Sequence, residues 1–574
     1  MFKENQKHRQ VTIYGMVHQF SVGVMKRLDK SWAPTFRKLI FEKIDERRYA
    51  ELYSTIDSRP NFPVNIWVGL EILKWLFDYT DEELLDQFHF NLLCVRSLGQ
   101  DNLGDITLSE RTIYYNRERL LKYESKTGRN LLEEEFKAIT DEALVELKLN
   151  TKIQRMDSSM IGSCIKQMSR LELIAKVLQN FYRDLPEVEK LCWKEQLAGY
   201  IKEEADHIAY QLKRADIEEH LKILGGLLFE LHQHYADQTE ICILKSYQHL
   251  GRLLLEQYDI IVSPEKTNIK AKPAKEISPA SLQNPADDTA TFRRKNGESY
   301  QGDILNIAET CHPDNPVQLL TDVSVYTNNT ADDTILTERI QQIKVRTRVE
   351  QMITDGGYSG EKAESACQQE SVILIPTEVK GRKLAVDAIS LAQFNFEANL
   401  LITCPAGQSP LAQKHKQEKG RHIVHFAKEI CTSCPQVKHC LVRSGKKSFS
   451  LIYNDRQLLL SRRRQQLGEE AYRILCRLRP AVEGTVSQFK RRTRDGKLRI
   501  RLINRIRNSA ILMAIGVNFG RLWEYYRKNQ SAKATLLANS NILLMCSVLK
   551  RLKKLKISEI IPIQPVILIN PVFC

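Results

Sequence analysis

Two short strand-like runs in this chain each lead to an aspartate, and the residues between them must fold so that those runs can share a sheet. Residues 151–157, Thr-Lys-Ile-Gln-Arg-Met-Asp, read as a strand arriving at Asp157, and residues 349–354 read as a second strand ending at Asp355. Between them, apolar residues recur at offsets of three and four: Leu171, Ile174, Val177, Leu178 and Phe181, then Leu221, Leu224, Leu228, Leu231 and Tyr235. That period belongs to amphipathic helices packed on one another, so the stripes read as core. Residues 300–309, 317–327 and 371–376 add further strands, and 333–344 and 360–369 add helices. The resulting order is that of an α/β sheet interrupted after its first strand by a large helical insert.

The two aspartates then stand at strand ends, where their side chains can project toward one cleft. Gly356 and Gly357 let the chain turn after Asp355 without Cβ crowding. A third acid, Glu483, falls in a helical segment whose first turn suits Pro480. It lies four residues after Arg479 and seven before Lys490, so the three share a helix face. Any one of these acids, taken alone, reads as an ordinary surface carboxylate. As a set they suit two divalent cations, and two such cations can cut and join phosphodiester bonds.

The charge balance points the same way. The chain carries a formal net charge of +15 with a pI near 9.1, which favours a polyanionic partner. Lys490, Arg491, Arg492 and Arg494 open a basic helical run that continues to Arg507 beside Glu483, placed for phosphate contact. Near the N-terminus, a short helix, a turn at Gly104 and a helix capped by Ser109 carry Arg111, Tyr114, Tyr115, Arg117 and Arg119. This arrangement suits a DNA-reading module, with Arg111 and Arg117 as contact residues, and equally a plain helical packing unit.

No apolar run approaches the roughly 18 residues of a membrane span and no secretory leader is visible, so a cytoplasmic location is expected. The 13 cysteines are then thiols or metal ligands. Cys404, the Cys431-Thr-Ser-Cys434 knuckle and Cys440 can form a closed tetrahedral Zn²⁺ site of structural type, with His439 as an alternative fourth ligand.

Several motifs carry a resemblance. Asp355-Gly356-Gly357-Tyr358 is similar to the Asp-x-Gly-Tyr of bacterial insertion-sequence DDE transposases. Arg479, Glu483 and Lys490 match that family's Tyr-x2-Arg-x3-Glu-x6-Lys signature, with Cys476 in place of the Tyr. Ser281-Leu-Gln-Asn-Pro, Ala290-Thr-Phe-Arg-Arg-Lys-Asn-Gly, Tyr300-Gln-Gly and Thr327-Asn-Asn-Thr-Ala-Asp-Asp-Thr334 resemble family segments around the second core strand. The likeness spans residues 1 to about 527, and related transposases also have a Cys-rich insert between the second and third acids.

The resemblance implies a ribonuclease H-like mixed sheet formed by residues 151–164, 300–378 and 456–527. A helical N-terminal DNA-binding domain (1–150) precedes it; a helical insert (165–262), a linker (263–299) and a Cys-rich zinc-binding insert (379–455) interrupt it; a tail (528–574) of no assigned role follows. It further implies that Asp157, Asp355 and Glu483 bind two Mg²⁺ ions, with Mn²⁺ as the alternative, and that Arg479 and Lys490 touch DNA near the scissile phosphate. The implied partners are double-stranded DNA, as terminal inverted repeats and target, and a second copy of the chain on that DNA. The competing readings are a nuclease on the same core, which cuts without joining, and a zinc-containing DNA-binding protein with an inactive core.

Overall fold

The structure, a computed structural model, describes residues 1–554 apart from 11–14, 57–58, 214, 263–266, 296, 380–386, 398 and 417–419. Met1–Asn518 form one compact unit, and Phe519–Cys574 are a second; the helix Ile503–Lys554 runs through the boundary.

The N-terminal part is helical, as its periodicity predicts. Its central helix, Val64–Phe77, is buried along every residue from Val64 to Trp75. Such a helix must pair its polar residues, and it does: Glu71 and Lys74 enter ion pairs with Arg117 and Asp81. Thr80 and Glu83 form the expected capping box of the next helix, Asp81–Phe90. The short helix Leu92–Ser97, a loop through Gly104, and the Ser109-capped helix Glu110–Thr127 follow.

The strands of the central sheet are β1 (Ile153–Gly162), β4 (Thr291–Lys295), β5 (Glu298–Thr310), β6 (Leu320–Thr327), β7 (Gln351–Thr354) and β8 (Ile373–Pro376). Between β1 and β4, strands β2 (Tyr258–Val262) and β3 (Thr267–Ala271) form a separate hairpin. The sheet order is β4-β5-β1-β7-β8, with β6 also on β5; β1, β7 and β8 are parallel, and β5 is antiparallel to its neighbours. The result is a mixed sheet in an α/β arrangement.

Strand alternation sorts its two faces. Met156, Met352 and Leu374 face the helices Asp332–Thr347 and Glu361–Gln369. Ile353 and Ile375, one residue on, face Tyr472, Leu475 and Leu478, which lead into the helix Ala481–Lys490. Arg155 and Asp157 flank Met156 and take this second face, which is how a strand residue meets the third acid's helix.

The helical stretch between β1 and the hairpin is built on the two predicted stripes: Leu171 through Phe181 and Leu221 through Tyr235 share one core with Leu250, Leu253 and Leu254. Residues expected to form an irregular linker, 263–299, instead contain β3 and β4. Their Pro and Ser residues sit between these elements, where Asp287 accepts hydrogen bonds from the backbone of Thr289, Ala290 and Leu502.

Further corrections concern element boundaries. Asp157 is not at a strand end; β1 runs on to Gly162, held there by pairing with β5. The expected continuous helix over 456–526 breaks into Asp455–Gln466, Glu470–Cys476 and Ala481–Lys490, then an extended segment before Ile503. Asp495 and Gly496 have positive φ (52° and 74°), and the turn lays residues 496–500 along the end of β1 through Gly162 N–H to Gly496 O (2.8 Å) and Leu498 N–H to Gly162 O (2.9 Å).

The cysteine-bearing part holds the hairpin of β9 (Asn395–Glu397) and β10 (Leu400–Thr403), and a four-stranded sheet of β11 (Ala412–Lys416), β12 (Arg421–Ala427), β14 (Ser448–Tyr453) and β13 (Arg443–Ser444). The apolar end of the tail, beyond residue 554, lies outside the described residues. No helix among the described residues is long and apolar enough to cross a membrane.

Gly302 is where β5 comes closest to β1. Its φ is +140°, and a Cβ there would stand 2.7 Å from Ile161 O and 2.9 Å from Ser163 N. Gly302→Ala is therefore expected to destabilise the protein by about 2 kcal/mol or more; a urea midpoint equal to wild type would show that the two strands separate freely.

Candidate active site

β1 and β7 run parallel in the register Gln154↔Met352 and Arg155↔Ile353. Two residues further on, the same register sets Asp157 beside Asp355, on one face. Asp355 caps the turn Gly356–Tyr358, its carboxylate accepting from Gly357 N–H at 2.7 Å. Glycine is needed at both positions after it: a Cβ on Gly356 would lie 2.7 Å from Glu378 O, and one on Gly357 would lie 2.7 Å from Asp332 Oδ2.

Glu483 arrives in the first turn of Ala481–Lys490, and its carboxylate is 65% exposed. Arg479 draws the acids together. Its Nη2 donates to Asp157 Oδ2 at 3.1 Å, and its Nη1 donates to Glu483 Oε1 at 2.8 Å. Asp157, Asp355 and Glu483 all act on this guanidinium and hold its pKa above the ordinary arginine value against the opposing effect of burial. For Asp157, burial is the largest influence and raises its pKa; Arg479 and Ser158 N–H oppose this, and Asp355 adds to it. The structure thus brings together the three acids named from sequence, with a cation held between two of them.

A tether fixes the helix that carries Glu483. Arg155 donates from Nε to Glu309 Oε1 (2.7 Å) and from Nη1 to Leu478 O (2.6 Å), while Thr485 Oγ1 donates to Glu309 Oε2 (2.8 Å). The sequence gives no signal for this set, because its members come from β1, β5 and the helix. Asp332 was also missed as a site residue: it accepts from Ser158 Oγ at 2.7 Å and lines the cleft with Asp157 and Glu483. Only its place in the family-like stretch 327–334 hinted at it.

The basic residues divide. Lys490 is exposed and lines the cleft; Arg491, Arg494 and Arg111 are exposed. Two expected DNA contacts are corrected. Arg117 is locked by Glu71 (2.8 Å) and Asp81 (2.6 Å), so its charge is spent inside the helical N-terminal part. Arg492 donates to the carbonyl oxygens of Trp75, Leu76 and Gln488, joining the helix Val64–Phe77 to the end of Ala481–Lys490.

Cys404, Cys431, Cys434 and Cys440 line one cavity of about 30 Å³. Burial, and then the other three thiols, push Cys431 up in pKa. His439 is absent from that lining; its carbonyl accepts from Ile389 N–H. Among the described residues, no three His, Cys, Asp or Glu side chains already stand in metal-binding geometry, at the thiols or at the acids. The donor types nonetheless suit the expected ions: four thiols for zinc, three carboxylates for a hard divalent cation.

Asp303, on β5, lines the same cleft as the acids, and burial followed by the charge of Asp287 pushes its carboxyl up to about 8. The group is neutral in the fold and ionised in the unfolded chain between about 3.8 and about 8, so its contribution to stability is lost as pH rises across that window. Asp303→Asn should therefore gain stability over wild type progressively between pH 4 and pH 8; melting curves whose separation does not change with pH would contradict this.

Residues 403–523 match the family model described as a transposase DDE domain. No curated protein and no solved structure matches the chain. The matched segment includes Glu483, Arg479, Lys490 and the four clustered cysteines, and it ends short of neither the tether nor the basic turn; the chain carries a transposase DDE domain.

Proposed function

We propose that this protein is a metal-dependent DNA transposase that cleaves at the ends of its element and joins the freed 3′-hydroxyl to target DNA. The observation that carries this reading is the meeting of Asp157, Asp355 and Glu483 about Arg479, from two adjacent strands and a facing helix. The mixed sheet with those acids on one face fits a ribonuclease H-like core, and the Transposase DDE domain match supports the same class.

Asp157, Asp355 and Glu483 would hold two Mg²⁺ ions, or Mn²⁺. Bound there, such ions supply an activated attacking hydroxyl and charge stabilisation for the leaving oxygen. The rest falls to the chain's own groups. Arg479 and Lys490 neutralise the phosphate at the point of cleavage, and the carboxylates that Arg479 now holds are released when it turns to that phosphate. Arg491, Arg494 and Arg111 add backbone contacts, which set affinity and salt dependence without sequence choice. Cys404, Cys431, Cys434 and Cys440 would hold one structural Zn²⁺ that fixes β10 against the helix Lys428–Ser433. The partners are terminal inverted repeats and target DNA, engaged by a homodimer in the cytoplasm.

A labelled DNA end incubated with target and Mg²⁺ tests the reaction: joined product is expected, and cleavage without joining would make the protein a nuclease instead. Asp157→Asn, Asp355→Asn and Glu483→Gln should each lower turnover by about a thousandfold or more, with DNA affinity within about threefold of wild type. Turnover near wild type in any one of them removes that residue from the site.

Purified protein should contain about one zinc per chain, and Cys434→Ser should lose it together with several degrees of melting temperature. Fully folded wild-type protein free of zinc would rule the site out.

A further inference from the structure

The cleft at the three acids extends beyond them to a volume of about 710 Å³, and β5 makes its far wall. Gln301 and Asp303 are two residues apart on that strand, so both face the cavity. Both carboxyl oxygens of Asp303 and the amide oxygen of Gln301 are buried and accept no hydrogen bond; Asp303 is 1% exposed. The Gln301 nitrogen donates to Gln283 Oε1 at 3.2 Å, which orients its oxygen away from that partner. Asp287, whose charge reaches Asp303, is itself an acceptor with its own donors and offers no relief.

The wall cannot turn away to pair these atoms. β5 is bonded to β1 on one side and to β4 and β6 along its length, and Gly302, between the two residues, has no room to shift. Buried acceptors are nearly always paired, so three unpaired acceptors on one rigid wall suit a ligand that brings N–H donors.

The cavity also reaches Lys490 and Lys497, cations suited to a phosphate backbone, and its volume lies within the roughly 300–1,000 Å³ of pockets for small organic groups. A paired base has its Watson–Crick N–H groups engaged, so a concave wall of this kind fits a base taken out of the duplex. Among the four bases, guanine alone presents adjacent donors on that edge, N1–H and the N2 amino group. The others set ring nitrogen or carbonyl lone pairs against the wall.

We propose that this cavity receives one unpaired nucleotide of the DNA strand held at the three acids, and that Asp303 and Gln301 select guanine there by accepting from N1–H and the N2 amino group. The proposal rests on the DNA-processing reading above.

The test uses the full chain and a fluorescent duplex with a single-nucleotide 3′ overhang of guanine, hypoxanthine, adenine, cytosine or thymine, without added divalent cation. Guanine is expected to bind about tenfold tighter than adenine, cytosine or thymine. Hypoxanthine, which lacks the amino group, should fall between. The preference should vanish in Asp303→Leu and shrink in Gln301→Ala. Asp303→Leu should melt no lower than wild type, because it removes an unpaired buried carboxyl. Equal affinity for all five overhangs, preference for another base, or guanine preference surviving in Asp303→Leu overturns this inference while leaving the transposase reading intact. Failure to bind any of the duplexes overturns both.

Discussion

The buried pair of Arg155 and Glu309 is the interaction on which the site depends. Arg155 is 8% exposed and Glu309 not at all, so each charge must be met by the other and by close hydrogen bonds. The bonds that complete the pair reach the chain around Glu483: Leu478 O lies before the helix Ala481–Lys490, and Thr485 lies within it. One ion pair thus locks β1, β5 and the third acid's helix together. Removing one partner of such a pair costs about 3–5 kcal/mol, and here that loss would also free the helix that brings Glu483 to the cleft.

Around that anchor the molecule collects negative charge and holds it with one cation. Asp157 and Asp355 come side by side because two parallel strands share a register, and Glu483 because the helix is tethered. Without Arg479 the three would repel one another. With it, the acids are kept close in a form that a phosphate can unlock by competing for the guanidinium. Asp303, neutral and unpaired on the cleft's other wall, lowers stability as the chain is built, which fits a residue kept for what it binds.

Much of the fold follows from local pattern. The stripe from Leu171 to Phe181 could only be a helix with one buried face, and it is core. Thr80 to Glu83 capped a helix because a threonine followed three residues later by glutamate satisfies two orphan N–H groups. The four cysteines came together because a Cys-x2-Cys knuckle forms on a short turn. Local pattern failed where long-range pairing decided the outcome. The basic run after Lys490 has helix-forming residues, yet Asp495 and Gly496 turn it so that it can pair with the end of β1. The stretch 263–299, rich in Pro and Ser, still yields β4, because β5 offers it an edge.

What the sequence by itself determined is the kind of chemistry: which acids, at what point in strand or helix, and which thiols, since residue type and short spacing carry that information. Which cations remain free for a partner was decided only by the tertiary structure. Arg117 and Arg492 look no different in sequence from Arg111 and Arg491, but Glu71, Asp81 and the carbonyls of Trp75 and Leu76 consume them. Whether a charge is spent internally or presented outward depends on neighbours far away in the chain, and Gln301 and Asp303 show the converse, acceptors left unpaired because the strands around them leave no donor within reach.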